Sequence, residues 1–307
     1  MNVYLVDGNS FFYRAFHAIK TLTNSKGFPT NAIYGFTTML MKILKDKKPD
    51  AIAIAFDSKE PTVRHQMYEQ YKAHRPETPG DLLLQIPKIK EVIAALRIPT
   101  FEMPGHEADD IIATLARQCA AQKANVFILT GDKDMMQAVD GRVKIYDPMK
   151  DVVIDEAGVV ERFGVPPDRV PEVMALMGDA VDNIPGVKGI GEKTAKELLH
   201  KAGSLDSLLQ SPEKYASQRI AAMIRVQIDA VHMSRTLATI NADVPLEADV
   251  RSFALQEPDW PVLVELFTEF EFRSLLKQVP SSGHKRRAQY AAITDRQALL
   301  EFLGDRA

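Results

Sequence analysis

Nine carboxylates stand at spacings that could serve chemistry at phosphorus. Asp7 closes the run Leu5-Val6-Asp7, and Asp57 closes Ala55-Phe56-Asp57. Asp132 and Asp134 follow Leu129 through Thr130-Gly131. Glu107, Asp109 and Asp110 open the segment Glu107-Ala108-Asp109-Asp110-Ile111. Asp179 and Asp182 lie three apart in Gly178-Asp179-Ala180-Val181-Asp182-Asn183. Any one of these acids could simply cap a helix, because carboxylates favour the electropositive first turn. As a converging set they would repel one another. The low-dielectric rim of a sheet makes that costly unless protons or cations offset it. Oxygen ligands without His or Cys select hard ions such as Mg²⁺ or Mn²⁺. So many acids leave room for two ions roughly 3.5–4 Å apart, an arrangement suited to in-line displacement at phosphorus.

Two further segments could handle a nucleic-acid backbone. Ile184-Pro185-Gly186-Val187-Lys188-Gly189-Ile190-Gly191-Glu192-Lys193-Thr194 directly follows the Asp179/Asp182 pair. Its glycines permit a tight turn, and amides at the start of the following helix can point at a phosphate. Lys188, Lys193 and Lys196 add positive charge. This reads as the hairpin of a helix–hairpin–helix, which grips backbone and carries no base information. The second segment, residues 58–81, carries Lys59, Arg64, His65, Lys72, His74 and Arg75 with Tyr68 and Tyr71 interleaved. It could hold a single strand, with cations on phosphates and Tyr71 stacked on a base.

The elements that must position these residues follow from hydrophobic patterning. Residues 3–6, 51–56 and 126–129 are nearly continuous apolar runs, as expected for strands buried on both faces of a parallel sheet. A further strand is expected near residues 144–146. Stretches 31–46, 82–96 and 108–121 show helical spacing, so the first part reads as α/β. In open α/β sheets ligands sit beyond the carboxyl ends of the strands, which is where Asp7, Asp57, Asp132 and Asp134 fall. From about residue 158 helical patterns dominate, at 171–181, 192–200, 217–238 and 259–277. Residues 280–287 read as a linker, and a short helix is expected at 296–303. The expected organisation is an α/β core over 1–157, a helical DNA-binding part over 158–280, and over 281–307 a linker with the start of a following domain.

Bulk composition sets limits. The chain has 307 residues, 46% of them hydrophobic, which suffices for one large core or two modest ones. Its formal net charge is −3, so any nucleic-acid surface must be local. A single cysteine, Cys119, excludes an intrachain disulfide and reads as a small buried hydrophobe. No segment is apolar enough to span a bilayer, and the expected location is the cytoplasm.

Taken as an ordered set, these motifs resemble the 5′-nuclease domain of bacterial DNA polymerase I, in the flap endonuclease superfamily. The similarity lies in Leu5-Val6-Asp7-Gly8-Asn9-Ser10, Tyr13-Arg14-Ala15, Phe56-Asp57, Tyr71-Lys72-Ala73-His74-Arg75-Pro76, Glu107-Ala108-Asp109-Asp110, Thr130-Gly131-Asp132-Lys133-Asp134, and Gly178 through Thr194. It runs from residue 1 to about 280. The resemblance implies a central, mainly parallel sheet of PIN-like 5′-nuclease type, a helical arch, and a helix–three-turn–helix subdomain that binds duplex DNA, with K⁺ on hairpin carbonyls. It places Asp7, Asp57, Glu107, Asp109 and Asp132 around one divalent ion. Asp134, Asp179 and Asp182 fall around the other, with Asp110 shared or supporting. Lys72, Arg75 and Arg14 would steer the scissile phosphate. Tyr71 would stack on the end base. Arg64, Gly186, Lys188, Gly189, Gly191, Lys193, Thr194 and Lys196 would contact DNA. His106, Ala180-Val181 and Glu60-Pro61 depart from the family pattern, and none of these removes a carboxylate. The implied protein is a monomeric nuclease fused to a polymerase, cutting 5′ flaps, nicks and 5′ ends in primer removal and repair. Two other readings compete: a PIN-like ribonuclease, which would not need the lysine-bearing hairpin, and a non-catalytic binder of branched DNA, which would not need the acids.

Overall fold

The computed structural model describes residues 1–280. The segment 281–307, with its expected linker and helix, lies outside the described residues. Six strands form one sheet: β1 Asn2–Asp7, β2 Ala51–Ala55, β3 Thr100–Phe101, β4 Asn125–Leu129, β5 Val143–Asp147 and β6 Val152–Ile154. Their order is β3-β2-β1-β4-β5-β6, and all neighbours are parallel except β5 and β6. The chain therefore winds outward from β1 to β2 and β3, then crosses back to β4 on the other side. That reversal creates a crevice at the carboxyl ends of β1 and β4. Asp7 pairs in register with Ala55, and Val6 with Leu129. The acids after β1, β2 and β4 must consequently emerge side by side.

The helices among the described residues are α1 Gly8–Ala18, α2 Asn31–Lys47, α3 Val63–Met67, α4 Gly80–Ala95, α5 Ala108–Ala121, α6 Glu156–Phe163, α7 Val170–Met177, α8 Glu192–Ala202, α9 Leu205–Gln210, α10 Gln218–Val226, α11 Ile228–Ala238, α12 Trp260–Glu269 and α13 Arg273–Leu276. Side chains alternate across the strands, and the two faces bury different helices. Val3, Leu5, Ala53 and Ile128 pack with α5, α7 and α11, whereas Tyr4, Val6, Ile52 and Ile54 pack with α1, α2 and α4. Each fully buried Leu, Ile or Phe contributes roughly 1.5–3 kcal/mol. Cys119 is buried in the first of these cores, as expected.

The four expected strands are present. β3 and β6, of 2 and 3 residues, were too short to show a pattern. Three helical spans differ from expectation. The stretch 171–181 stops at Met177, because Gly178 takes a positive φ of 70° and turns the chain. The stretch 217–238 breaks at Gln227 into α10 and α11, and 259–277 breaks into α12 and α13 around Glu271 at φ 61°. Amphipathic spacing continues through both breaks, so periodicity alone does not reveal them. In segment 58–81 the expected helical arch is reduced to the 5-residue α3 followed by turns.

Gly178 and Gly186 lie against each other. A Cβ on Gly186, at φ 59°, would stand 2.3 Å from the Gly178 nitrogen. The bridge between Asp179 and Ile184, with backbone hydrogen bonds of 2.9 and 2.8 Å, closes this loop and presents Asp179 and Asp182. Gly186→Ala is expected to destabilise by about 1–3 kcal/mol from backbone strain alone, with the clash added. A lower urea midpoint at unchanged slope is the measurement.

Candidate active site at the sheet edge

Local folding rules fix each acid. Asp7 caps α1, accepting from the Ser10 amide at 2.9 Å and from Thr130 Oγ1 at 2.9 Å. Asp57 accepts from the Ala108 amide at 2.8 Å, tying the end of β2 to the start of α5. Glu107 and Asp110 form a reciprocal capping box on α5. Asp132 accepts from the Asp134 amide at 2.9 Å, and its own amide donates to Thr130 Oγ1 at 3.0 Å. Asp179 accepts from the Val181 amide at 2.7 Å. Several of these acids therefore do cap helices and turns, and the same caps aim them at a common region.

The electrostatics show convergence in two linked groups. Burial pushes Asp7 up to about 6, with repulsion from Asp57 and Asp132 adding to it. Burial also raises Asp57, and it carries Asp109 well above the ordinary carboxylate range with help from Asp132, Asp7 and Asp57. Asp132 is raised by burial and by Asp182. Burial, then Asp132 and Asp179, pushes Asp134 up to about 8. Asp132 thus belongs to both groups. Asp134 Oδ1 is buried without a hydrogen-bond partner.

Cations neutralise only part of this charge. Lys72 Nζ lies 2.9 Å from Glu107 and 3.8 Å from Asp182, and Arg75 also pairs with Asp182. Lys133 Nζ lies 2.6 Å from Asp179; burial would raise that acid, but the lysine outweighs it and holds it below the usual range. Among the described residues no Lys or Arg forms an ion pair with Asp7, Asp57, Asp109, Asp132 or Asp134. Nor, among the described residues, do three or more His, Cys, Asp or Glu groups stand together in an arrangement that could hold a metal ion. A cavity of about 470 Å³ opens between Arg14, Arg75, Asp132, Asp134, Asp179 and Asp182. A second, of about 330 Å³, lies between Asp57, Lys72, Arg75 and Glu107. The donor set fits hard divalent ions: it is all carboxylate, it holds more negative charge than its lysines and arginines offset, and it leaves a buried oxygen unpartnered.

Two expected roles change, those of Tyr71 and Arg64, and that of Asp110 narrows to support. Tyr71 is only 3% exposed, with its hydroxyl 3.2 Å from Glu107 and 3.4 Å from Asp182. Its ring packs beside the acids and is not presented to stack on a base. Arg64 is 8% exposed and makes two 2.8 Å bonds to Asp110, so it is not a surface DNA contact. Asp110 is correspondingly spoken for. Burial alone would raise it, but Arg64 holds it below the usual range, so it supports the site and leaves no free oxygen charge for an ion. Arg14 does reach the site, packing over Gly131 where a Cβ would meet its Nη2 at 1.8 Å. Lys188, Gly189, Gly191 and Lys193 are exposed on the hairpin and the start of α8, and Thr194 is half-buried there. Gly186 is buried under that hairpin, and Lys196 pairs with Glu192 at 2.6 Å. Thr130 and Lys133 were not singled out as site residues, although both stand inside the Thr130–Asp134 motif.

A parallel sheet with a switch-point crevice, an edge of crowded carboxylates and an adjoining glycine hairpin define a class of phosphodiester-cleaving enzymes. Residues 2–164 match the 5′-3′ exonuclease N-terminal resolvase-like domain, and residues 165–261 match the 5′-3′ exonuclease C-terminal SAM fold. The chain belongs to the 5′-3′ exonuclease family. It is 40% identical to a 5′-3′ exonuclease of Aquifex aeolicus over 90% of this chain and 94% of that one. It is 42% identical to the thermostable DNA polymerase I of Thermus aquaticus over 90% of this chain, but spans only 33% of that polymerase. The T5 D15 protein co-crystallised with metal ions superposes with a TM-score of 0.67 at 19% identity, covering 89% of this chain and 99% of that one. The catalytic core of Rad2 in complex with DNA substrate gives 0.61 at 18% identity, over 91% and 92%. These two likenesses establish the fold.

The raised acids make stability depend on pH. Asp7 and Asp134 hold their protons more tightly folded than unfolded. Their contribution to stability is fully present below about pH 4, the unfolded carboxylate value, and is lost as pH rises through about 6 and about 8 respectively. Mn²⁺ is therefore expected to raise the melting temperature more at pH 8 than at pH 5. Asp134→Asn is expected to raise the melting temperature of ion-free protein at pH 8 and to shrink the Mn²⁺ gain; thermal scans at the two pH values check both.

Proposed function

We propose that this chain hydrolyses DNA phosphodiesters at 5′ flaps, nicks and 5′ ends, giving a 5′-phosphate and a 3′-hydroxyl, as in primer removal and repair. The observation that carries this reading is that Asp132, Asp134, Asp179 and Asp182 share one cavity with Arg14 and Arg75, while Asp57 and Glu107 share a second with Lys72 and the same Arg75. Duplex DNA docks on the exposed hairpin 184–194. Lys188 and Lys193 contact its phosphates, and the Glu192 end of α8 offers amides beside them. Lys72 and Arg75 rest on Glu107 and Asp182, placed to hold the scissile phosphate and to offset charge that develops there. Lys72 adopts a left-handed φ of 56°, with its amide bonded to the Asp182 carbonyl at 3.0 Å. A non-glycine residue held this way is strained, and here the strain aims its ammonium into the acids. Asp7, Asp57, Glu107, Asp109 and Asp132, with Asp134, Asp179 and Asp182, would hold two divalent ions, Mg²⁺ or Mn²⁺, whose chemistry would be an activated water and charge stabilisation at the leaving 3′-oxygen. K⁺ on the hairpin carbonyls belongs to the same reading.

The relatives named DNA polymerase I and the Rad2 core with its DNA substrate support a DNA substrate over RNA. The chain matches 33% of the Thermus aquaticus polymerase and 94% of the Aquifex aeolicus exonuclease, and the reading takes the nuclease to act as a monomer in either setting. Among the described residues no helix is long and apolar enough to cross a membrane.

Asp57→Ala, Asp132→Ala and Asp179→Ala are each expected to lower single-turnover cutting of a 5′-flap substrate in Mg²⁺ by roughly 10²-fold or more. Undiminished cutting by all three would sink the assignment. Lys193→Ala is expected to weaken duplex binding and lower the salt slope by about 1, with a smaller change for Lys196→Ala, whose ammonium is already paired.

A further inference from the structure

Helix α11 touches both ends of the proposed machinery. On the hairpin side, the Lys188 amide donates to Oε1 of Gln227, the residue that caps α11, at 2.9 Å. The Gly186 amide donates to the fully buried Ser234 Oγ on α11 at 2.9 Å. The element that faces the duplex is thus hydrogen-bonded to α11 and its cap.

At the other end, the last carbonyls of a helix lack partners within it. Here side chains from α3 and from the 3₁₀ turn after β4 take them. Arg64 donates from Nε to the Leu237 carbonyl at 3.0 Å and from Nη2 to the Thr239 carbonyl at 2.8 Å. Its remaining donors clamp Asp110, and Nη1 lies 3.5 Å from Glu107. Asp110 also accepts from the amides of Glu107, at 3.3 Å, and Asn241, at 2.8 Å. Gln137 donates to the Ala238 carbonyl and accepts from the Ile240 amide, each at 2.9 Å. It sits on the 3₁₀ turn Asp134–Ala138, which begins with the acid whose Oδ1 has no partner. One helix end therefore grips both acid groups, the first through Arg64 and the second through Gln137.

A buried arginine satisfying a helix C-terminus can be purely structural. The arrangement goes further, because the planar guanidinium fixes carbonyls and carboxylate in one plane, and the Asp110 it holds caps the turn that carries Glu107 and Asp109. A shift of the α11 end must move both acid groups together. We infer that α11 couples duplex engagement at the hairpin to the spacing of the two acid groups, with Arg64 and Gln137 as positioning residues. This rests on the nuclease reading above.

The coupling has a reciprocal signature: whatever the duplex does to ion affinity, ions do to duplex affinity. The test uses the full chain, Mn²⁺ and a dumbbell duplex closed at both ends, which offers backbone to the hairpin but no 5′ end to the acids. Free Mn²⁺ is followed by electron paramagnetic resonance. The dumbbell is expected to tighten Mn²⁺ binding by wild type about fivefold or more, and Arg64→Lys and Gln137→Ala are expected to lose that gain while keeping dumbbell affinity within about twofold. Lysine keeps the charge but cannot bridge a carboxylate and two carbonyls. Gln137→Ala removes three neutral bonds, one of them to the Asp134 carbonyl within its own turn, so it serves if Arg64→Lys does not fold. No tightening in wild type, or equal tightening in the folded variants, overturns the coupling. Loss of dumbbell affinity together with a lowered melting temperature in Gln137→Ala overturns it as well. Cleavage is not read, so a wild type that cuts 5′ flaps but shows no tightening loses the coupling alone.

Discussion

Crowding of like charges in a partly dry crevice is the constraint on which the rest depends. Five carboxylates, Asp7, Asp57, Asp109, Asp132 and Asp134, are raised by burial and by neighbouring acids, and among the described residues no Lys or Arg forms an ion pair with them. Such an arrangement is unfavourable unless protons or cations relieve it. It persists because backbone amides and hydroxyls hold each acid individually: Ser10 and Thr130 on Asp7, Ala108 on Asp57, Asp134 on Asp132. The lysines and arginines at the rim neutralise Glu107, Asp179 and Asp182 without filling the interior. What remains is a site whose charge hard cations would balance.

The scaffold makes that crowding unavoidable. Strand order alone brings the ends of β2, β1 and β4 together, in register, at the topological reversal. The acids of α5 come from the chain that returns after β3. The pair at Asp179 and Asp182 arrives from the helical half, on a loop that two facing glycines pull tight. Because that half shares one buried core with the α5 face of the sheet, the second acid group cannot drift away without exposing apolar surface.

Most of the sheet and the acid edge were legible in the sequence because long-range placement followed from one local rule. Continuous apolar strands mean a parallel sheet, and residues just after such strands share an edge. What was not legible depends on side-chain direction. Tyr71 and Arg64 have the composition of a nucleic-acid contact, and nothing in their spacing shows that both turn inward onto Glu107 and Asp110. Asp110 likewise matches its acidic neighbours in type, and only its partner separates it from them. Gln137 and Ser234 carried no sequence signal, since each works by accepting or donating to backbone more than 45 residues away in sequence.

A net charge of −3 gave no hint of a nucleic-acid protein, and the structure shows why the sum misleads. Negative charge is concentrated at one sheet edge, where hard cations would offset it. Positive charge is spent twice: Lys72, Arg75 and Lys133 on that edge, and Lys188 and Lys193 on the hairpin beyond it. A polyanion would meet Lys188 and Lys193 at the hairpin and Lys72, Arg75 and Lys133 beside the acids. Ions on the acids would invert the local sign, so that the edge would attract a phosphate backbone it would otherwise repel. The order of charges from hairpin to crevice follows from the packing of the two halves, and total composition carries no trace of it.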